Sequence, residues 1–215
     1  MEKSTAVIEN GTDLTSLVDK IEKTNNKSTI LQNALHLFYC KGYDAVGVQE
    51  IVDSAKISKP TLYYYFKSKL GLLQNLVESK CRVFNDSLWR AADFHGDLVF
   101  TLTEVARTYL SLAAHDKEFF FLMIHLYYAP CNNESHLTVQ PYISEQFNTI
   151  KSIFDKAEYQ LGNMHGRQEQ FTVGFMGVLT QYVIYHYERG GDSNYLLNGG
   201  VVYSIVHQFM HGIYS

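Results

Sequence analysis

Ile57-Ser58-Lys59-Pro60-Thr61-Leu62-Tyr63-Tyr64-Tyr65-Phe66-Lys67-Ser68-Lys69 packs a helix start, three adjacent phenols and three lysines into one short stretch. Ser58 is placed to cap a helix by accepting from the amide N–H groups ahead of it. Pro60 suits the first turn, where its missing N–H has no partner to lose. Leu62 and Phe66, four apart, define one apolar stripe, so Lys59, Thr61, Tyr63, Tyr64 and Tyr65 point elsewhere. Such a helix, buried on one side and rich in donors on the other, is suited to reading DNA.

Upstream, Ile30, Leu31, Ala34, Leu37 and Phe38 repeat at helical spacing and Gly42 closes that helix. Val48, Ile51, Val52 and Ala55 form a shorter second stripe. A turn over Lys56 to Ser58 then leads into the tyrosine helix. The order helix, short helix, tight turn, polar-headed helix is that of a helix-turn-helix.

On Ile30-Leu31, Ala34, Leu37-Phe38, Gly42-Tyr43, Ile51, Ala55, Ser58-Lys59-Pro60-Thr61-Leu62-Tyr63-Tyr64, Phe66, Lys69 and Leu72-Leu73, the chain resembles the TetR family of bacterial transcriptional regulators. The resemblance covers about residues 27–75. It implies phosphate contacts by Ser58, Thr61, Tyr63, Tyr65 and Lys69, which also carry hydrogen-bond donors. Lys59, Pro60 and Tyr64 are the expected base-edge contacts, a lysine for guanine acceptors and ring surfaces for a thymine methyl. The chain departs from the family pattern at Val46-Gly47, where a capping hydroxyl residue is usual, and at Lys56, where glycine is common. The family's usual mode is repression of a pseudo-palindromic operator by a dimer, relieved by a small-molecule inducer.

Charge follows the same division. Residues 27–80 hold seven lysines against four acids, a net of +3, leaving −7 for the rest of a chain whose total is −4. The attraction for a polyanion therefore lies in the head and not in the body. Residues 1–26 carry five acids against three lysines. Leu14, Leu17, Val18 and Ile21 mark a short amphipathic helix there, which Asn25-Asn26 is expected to break. The segment reads as an extension that packs on the body or is partly disordered. Cys40, Cys81 and Cys131 form no CxxC pair, which fits reduced thiols in the cytoplasm. No apolar run is long enough for a signal peptide or a membrane span.

The expected organisation is all-α: an N-terminal extension at 1–26, a three-helix head with the helix-turn-helix at 27–74, and a helical-bundle ligand-binding and dimerisation body at 75–215. A connecting helix runs from Lys69 to about Ala92. Further helices follow at about 97–114, 117–128, 140–162, 168–189 and 193–213. In the last two, apolar residues go most of the way round: Phe171 to Tyr185 on one, Tyr195 to Ile213 on the other. Helices of that kind need cover on all sides, so a two-fold four-helix interface is expected, with Gly174, Gly177 and Gly199-Gly200 permitting close approach.

An aromatic run, Phe119 to Tyr128, suggests a pocket for a flat or amphipathic organic inducer. Its expected lining is Trp89, Tyr109, Phe120, Met123, His125, Tyr127, Phe175, Tyr182 and His186. An aromatic core serves as the alternative reading. His36 and Cys40, four apart, lack a third metal ligand in view, and His207 and His211 read as interface or core residues. No metal and no cofactor is expected. GxSxG, GxGxxG and P-loop motifs are absent, so an enzyme is not expected. The competing functions are a helical interaction module that has lost DNA binding and a metal-responsive regulator.

Overall fold

A computed structural model describes residues 14–161 and 166–212, with side chains from residue 26 onward. Among these residues it contains ten α-helices, a 3-10 turn at Glu158–Gln160 and no strand. The helices are α1 (Leu14–Lys41), α2 (Val48–Ser54), α3 (Lys59–Phe66), α4 (Lys69–Ala91), α5 (Leu98–His115), α6 (Lys117–Tyr127), α7 (Glu134–Lys156), α8 (Gln168–Glu188), α9 (Ser193–Leu196) and α10 (Gly199–His211).

Short polar side chains set most helix starts. Ser58, Ser68, Asp97, Asp116, Asn133, Asp192 and Asn198 each accept from an amide of the first turn of α3, α4, α5, α6, α7, α9 and α10 respectively. At the start of α2, Gly47 offers no such bond.

The backbone differs from expectation in three places. Asn25-Asn26 does not interrupt α1, which runs through both residues; residues 1–13 of the expected extension lie outside the described part. The cap at Asn133 begins α7 well before Pro141, which sits inside the helix on its exposed side, where solvent can meet the carbonyl it leaves unpaired. Asn198 caps a fresh helix after Leu197, so the final helix is two pieces, α9 and α10. Gly162 and Ile213 lie outside the described residues.

Two apolar clusters hold the chain together. One joins Ile30, Ala34 and Phe38 of α1, Ile51 and Val52 of α2, Leu62 and Phe66 of α3, and Leu72, Leu73 and Leu76 of α4. It continues into Phe119, Leu122, Met123 and Leu126 of α6 and Val139 of α7, so the head's core is completed by the body. The second centres on α5 (Leu102, Val105, Ala106, Leu110) and gathers Phe84 and Leu88 of α4, Phe154 of α7, Phe175 of α8 and Val202 and Ile205 of α10. Burying each large side chain contributes about 1.5–3 kcal/mol.

Candidate nucleic-acid interface

Helix α3 presents the face its sequence periodicity calls for. Leu62 and Phe66 are buried against α1, α2 and α4, while Lys59, Pro60, Tyr63 and Tyr64 are exposed, with Tyr64 the most open ring at 63%. Ser58 Oγ accepts from the Thr61 amide at 3.3 Å and shares a hydrogen bond with Thr61 Oγ1 at 2.9 Å, fixing both hydroxyls at the helix start. Tyr65 is half-buried, its ring edge-on to Tyr64 at 5.2 Å between centroids. The stripe thus fixes the helix, and the cap fixes its N-terminal end.

Lys69 behaves differently. Its ammonium donates to the carbonyls of Tyr43 at 2.7 Å and Val46 at 2.9 Å, and lies 4.2 Å from the centre of the Tyr43 ring. Burial pulls its pKa below the ordinary lysine value. The side chain is turned inward as a strut between the start of α4 and the α1–α2 loop, so the expected phosphate contact is not presented in this arrangement.

Two other lysines frame α3. Lys56 (φ 54°) opens the turn before it and Lys67 (φ 67°) ends the helix itself. Both occupy the left-handed region that favours glycine, which explains the family's usual residue at position 56. Both are exposed.

The head is tied to the body by polar contacts that link distant segments. Tyr43 Oη donates to Glu134 Oε1 at 2.5 Å, and Asn133 Nδ2 donates to Asp44 Oδ2 at 3.1 Å, so the start of α7 clasps the α1–α2 loop. Within the body, Lys80 of α4 pairs with Asp116, the N-cap of α6.

A cavity of about 790 Å³ opens between α5, α6, α7 and α8. Of the expected lining, Tyr109, Phe120, Met123 and Tyr127 are there, joined by Tyr128, Ile143, Phe147, Val173, Met176 and Ile184. Polar tips come from Ser144, Asn148, Thr180 and Gln181, and Tyr109 Oη hydrogen-bonds Thr180 Oγ1 at 2.9 Å.

The remaining expected wall residues lie elsewhere. Trp89 is 71% exposed on α4, and His125 faces solvent on α6. Phe175 turns into the core against Phe209. His186 stacks on Tyr195 and bonds the Asp192 carbonyl, and Tyr182 is hydrogen-bonded to the same Tyr195. The α8 wall was not legible because apolar residues on all sides of a helix leave its inward face undetermined.

Residues 30–76 match the family model of bacterial regulatory proteins, tetR family. The biofilm operon icaADBC negative transcriptional regulator IcaR of Staphylococcus aureus is 30% identical over 105 residues, covering 43% of this chain and 56% of that protein. Matches to the first curated relatives span only 34% and 56% of their lengths. Among solved structures, a putative fatty acid metabolism regulator of Clostridium perfringens aligns with a TM-score of 0.75 at 20% identity, over 87% of this chain and 99% of the other. FadR of Bacillus subtilis, in complex with stearoyl-CoA, aligns at 0.71 and 18% identity over 87% and 99%. Helix-turn-helix head and helical body together share the fold of these regulators, and the match to the tetR family model lies within the head.

Proposed function

We propose that the chain is a ligand-responsive, DNA-binding transcriptional regulator, working in the cytoplasm as a repressor. The observation that carries this reading is α3: a capped helix with Leu62 and Phe66 locked in the core and Lys59, Pro60, Tyr63 and Tyr64 free on its outer face. Ser58, Thr61, Tyr63 and Tyr65 are its phosphate contacts, and Lys59, Pro60 and Tyr64 read base edges. Lys56 and Lys67, exposed at either end, add to the field that draws DNA in. Repression is supported by the negative regulator among the relatives. Head, body and extension take the bounds 27–74, 75–215 and 1–26.

The acting unit is a homodimer formed by α8 and α10. Within one chain α8 buries Thr172, Phe175, Leu179 and Val183 but leaves Val178 and Tyr185 exposed, and α10 leaves Tyr203 exposed. Two heads related by a two-fold axis then meet two half-sites of a pseudo-palindromic operator.

Release comes from a small amphipathic organic molecule in the α5–α8 cavity. Its apolar rings and few polar tips suit a ligand with an acyl or flat apolar body, and the neighbour described with stearoyl-CoA makes a coenzyme A thioester the first probe. The ligand acts by binding the DNA-incompetent head spacing more tightly than the competent one. Anisotropy of labelled DNA from upstream of the chain's own gene tests the reading. Saturable, salt-dependent binding that Lys59→Ala and Tyr64→Ala weaken supports it; indifference to both substitutions contradicts it.

A further inference from the structure

Inside the α5–α8 cavity, two hydroxyls meet in a way that leaves one hydrogen-bond donor over. Tyr109 is buried, and its Oη lies 2.9 Å from Thr180 Oγ1. A threonine within a helix commonly donates back to the carbonyl one turn earlier, as Thr101, Thr103, Thr108, Thr138 and Thr172 do here. Thr180 stands in the middle of α8 but turns its hydroxyl to Tyr109 instead. Two O–H hydrogens share one mutual bond, so one remains, whichever oxygen gives. Among the described residues no third group takes it, and both side chains line the cavity.

Around that donor the walls are neutral. Every described residue lining the cavity is uncharged: apolar groups such as Phe120, Met123 and Met176, with hydroxyls, phenols and amides between them. Burial raises the pKa of Tyr109 above the ordinary phenol value, so its proton stays in place through the physiological range. A buried donor without an acceptor is costly, and a ligand oxygen that accepts from it recovers that cost. A carboxylate brought to the same place would shed its water with no cation to meet it.

We propose that the Tyr109–Thr180 pair is the polar anchor of this cavity and holds the carbonyl oxygen of an uncharged ligand. The class is a ketone, ester or amide on an apolar body, taken in preference to a free carboxylate. The carbonyl of an acyl thioester falls in the same class. This inference rests on the proposed reading of the cavity as the inducer site.

The test uses the full chain at pH 7 and prodan, a fluorescent naphthyl ketone. Three ligands that share its ring displace it in turn: 2-acetylnaphthalene, 2-ethylnaphthalene and 2-naphthoate. The ketone is expected to bind about three- to ten-fold tighter than the ethyl compound, the span of one neutral hydrogen bond. It should bind at least about ten-fold tighter than the carboxylate. Tyr109→Phe keeps the ring, removes the phenol and releases Thr180 to the backbone bond its fellows make. That variant should bring the ketone and ethyl affinities together and leave the ethyl compound's own affinity in place, which a purely structural change would shift. Ser144→Phe fills the cavity from α7 and should abolish prodan binding. If Tyr109→Phe fails to fold, the order of the three ligands in the native chain decides. A carboxylate that binds as tightly as the ketone, or a ketone no tighter than the ethyl compound, overturns the anchor but not the cavity's role. Prodan binding untouched by Ser144→Phe overturns both. The expected order without release of DNA supports the anchor and contradicts only the regulatory reading.

Discussion

Individual residues divide into those whose role follows from spacing and those whose role follows from a distant partner. Leu62 and Phe66 belong to the first kind: four apart on a short helix, they had to face the core. Lys69 belongs to the second. Its acceptors are carbonyls 23 and 26 residues away, which no periodicity reveals, and it holds the α1–α2 loop in place. Lys69→Ala is therefore expected to lower stability by about 1–3 kcal/mol, as loss of hydrogen bonds to a charged group does. The salt dependence of DNA binding should stay unchanged; urea unfolding and a salt titration check the pair. At position 56 a left-handed lysine carries backbone strain that glycine would relieve. Lys56→Gly is expected to raise stability by about 0.5–1 kcal/mol, the strain relieved less the added unfolded-state freedom, again read in urea.

Among the elements, contact between helix ends matters more than helix propensity. A Cβ on Gly71 would stand 2.0 Å from the Phe66 carbonyl oxygen, so the missing side chain lets the start of α4 close against the end of α3. Gly71→Ala is expected to cost about 2–3 kcal/mol and to weaken DNA binding by tilting the reading helix, as melting and anisotropy would show. The clasp of α7 on the head has its own pH signature. Burial first, and Glu134 second, raise the Tyr43 pKa above its unfolded value. A phenol shifted up stabilises the fold fully below the unfolded value of about 10 and loses that contribution as pH climbs above it. Tyr43→Phe should lower stability near neutrality by about 1 kcal/mol and remove that part of the alkaline loss. Urea midpoints at pH 7 and pH 11 would test it.

Helix order and the polar start of α3 were legible because caps and stripes are local. The early start of α7 was obscured by Pro141, a residue that usually opens a helix rather than sitting within one. The fates of Phe119 (head core), Phe120 (body core and cavity) and Tyr128 (exposed, on the cavity lining) were also hidden, since a nearly all-apolar helix carries no periodic mark of its faces.

At the scale of the whole molecule, charge and apolar surface are segregated towards different ends of the chain. The basic head has a net charge of only +3 over residues 27–80, and the proposed dimer would double the charge presented to DNA. In the proposed dimer the half-covered α8 and α10 would supply the surface for pairing. Sedimentation at micromolar concentration should find a dimer, and a charge placed in the exposed stripe, Val178→Asp, should yield monomers that still fold. A native chain that sediments only as a monomer would contradict the two-fold arrangement.

The most direct test of DNA recognition is a salt titration of the full chain on its own upstream DNA, run beside an unrelated duplex of equal length. Affinity for the upstream duplex should fall linearly with salt on logarithmic axes while remaining tighter than for the unrelated one. Lys59→Ala and Tyr64→Ala should erase most of that preference. Equal, weak binding to both duplexes, unaffected by either substitution, would show that α3 is not a reading helix.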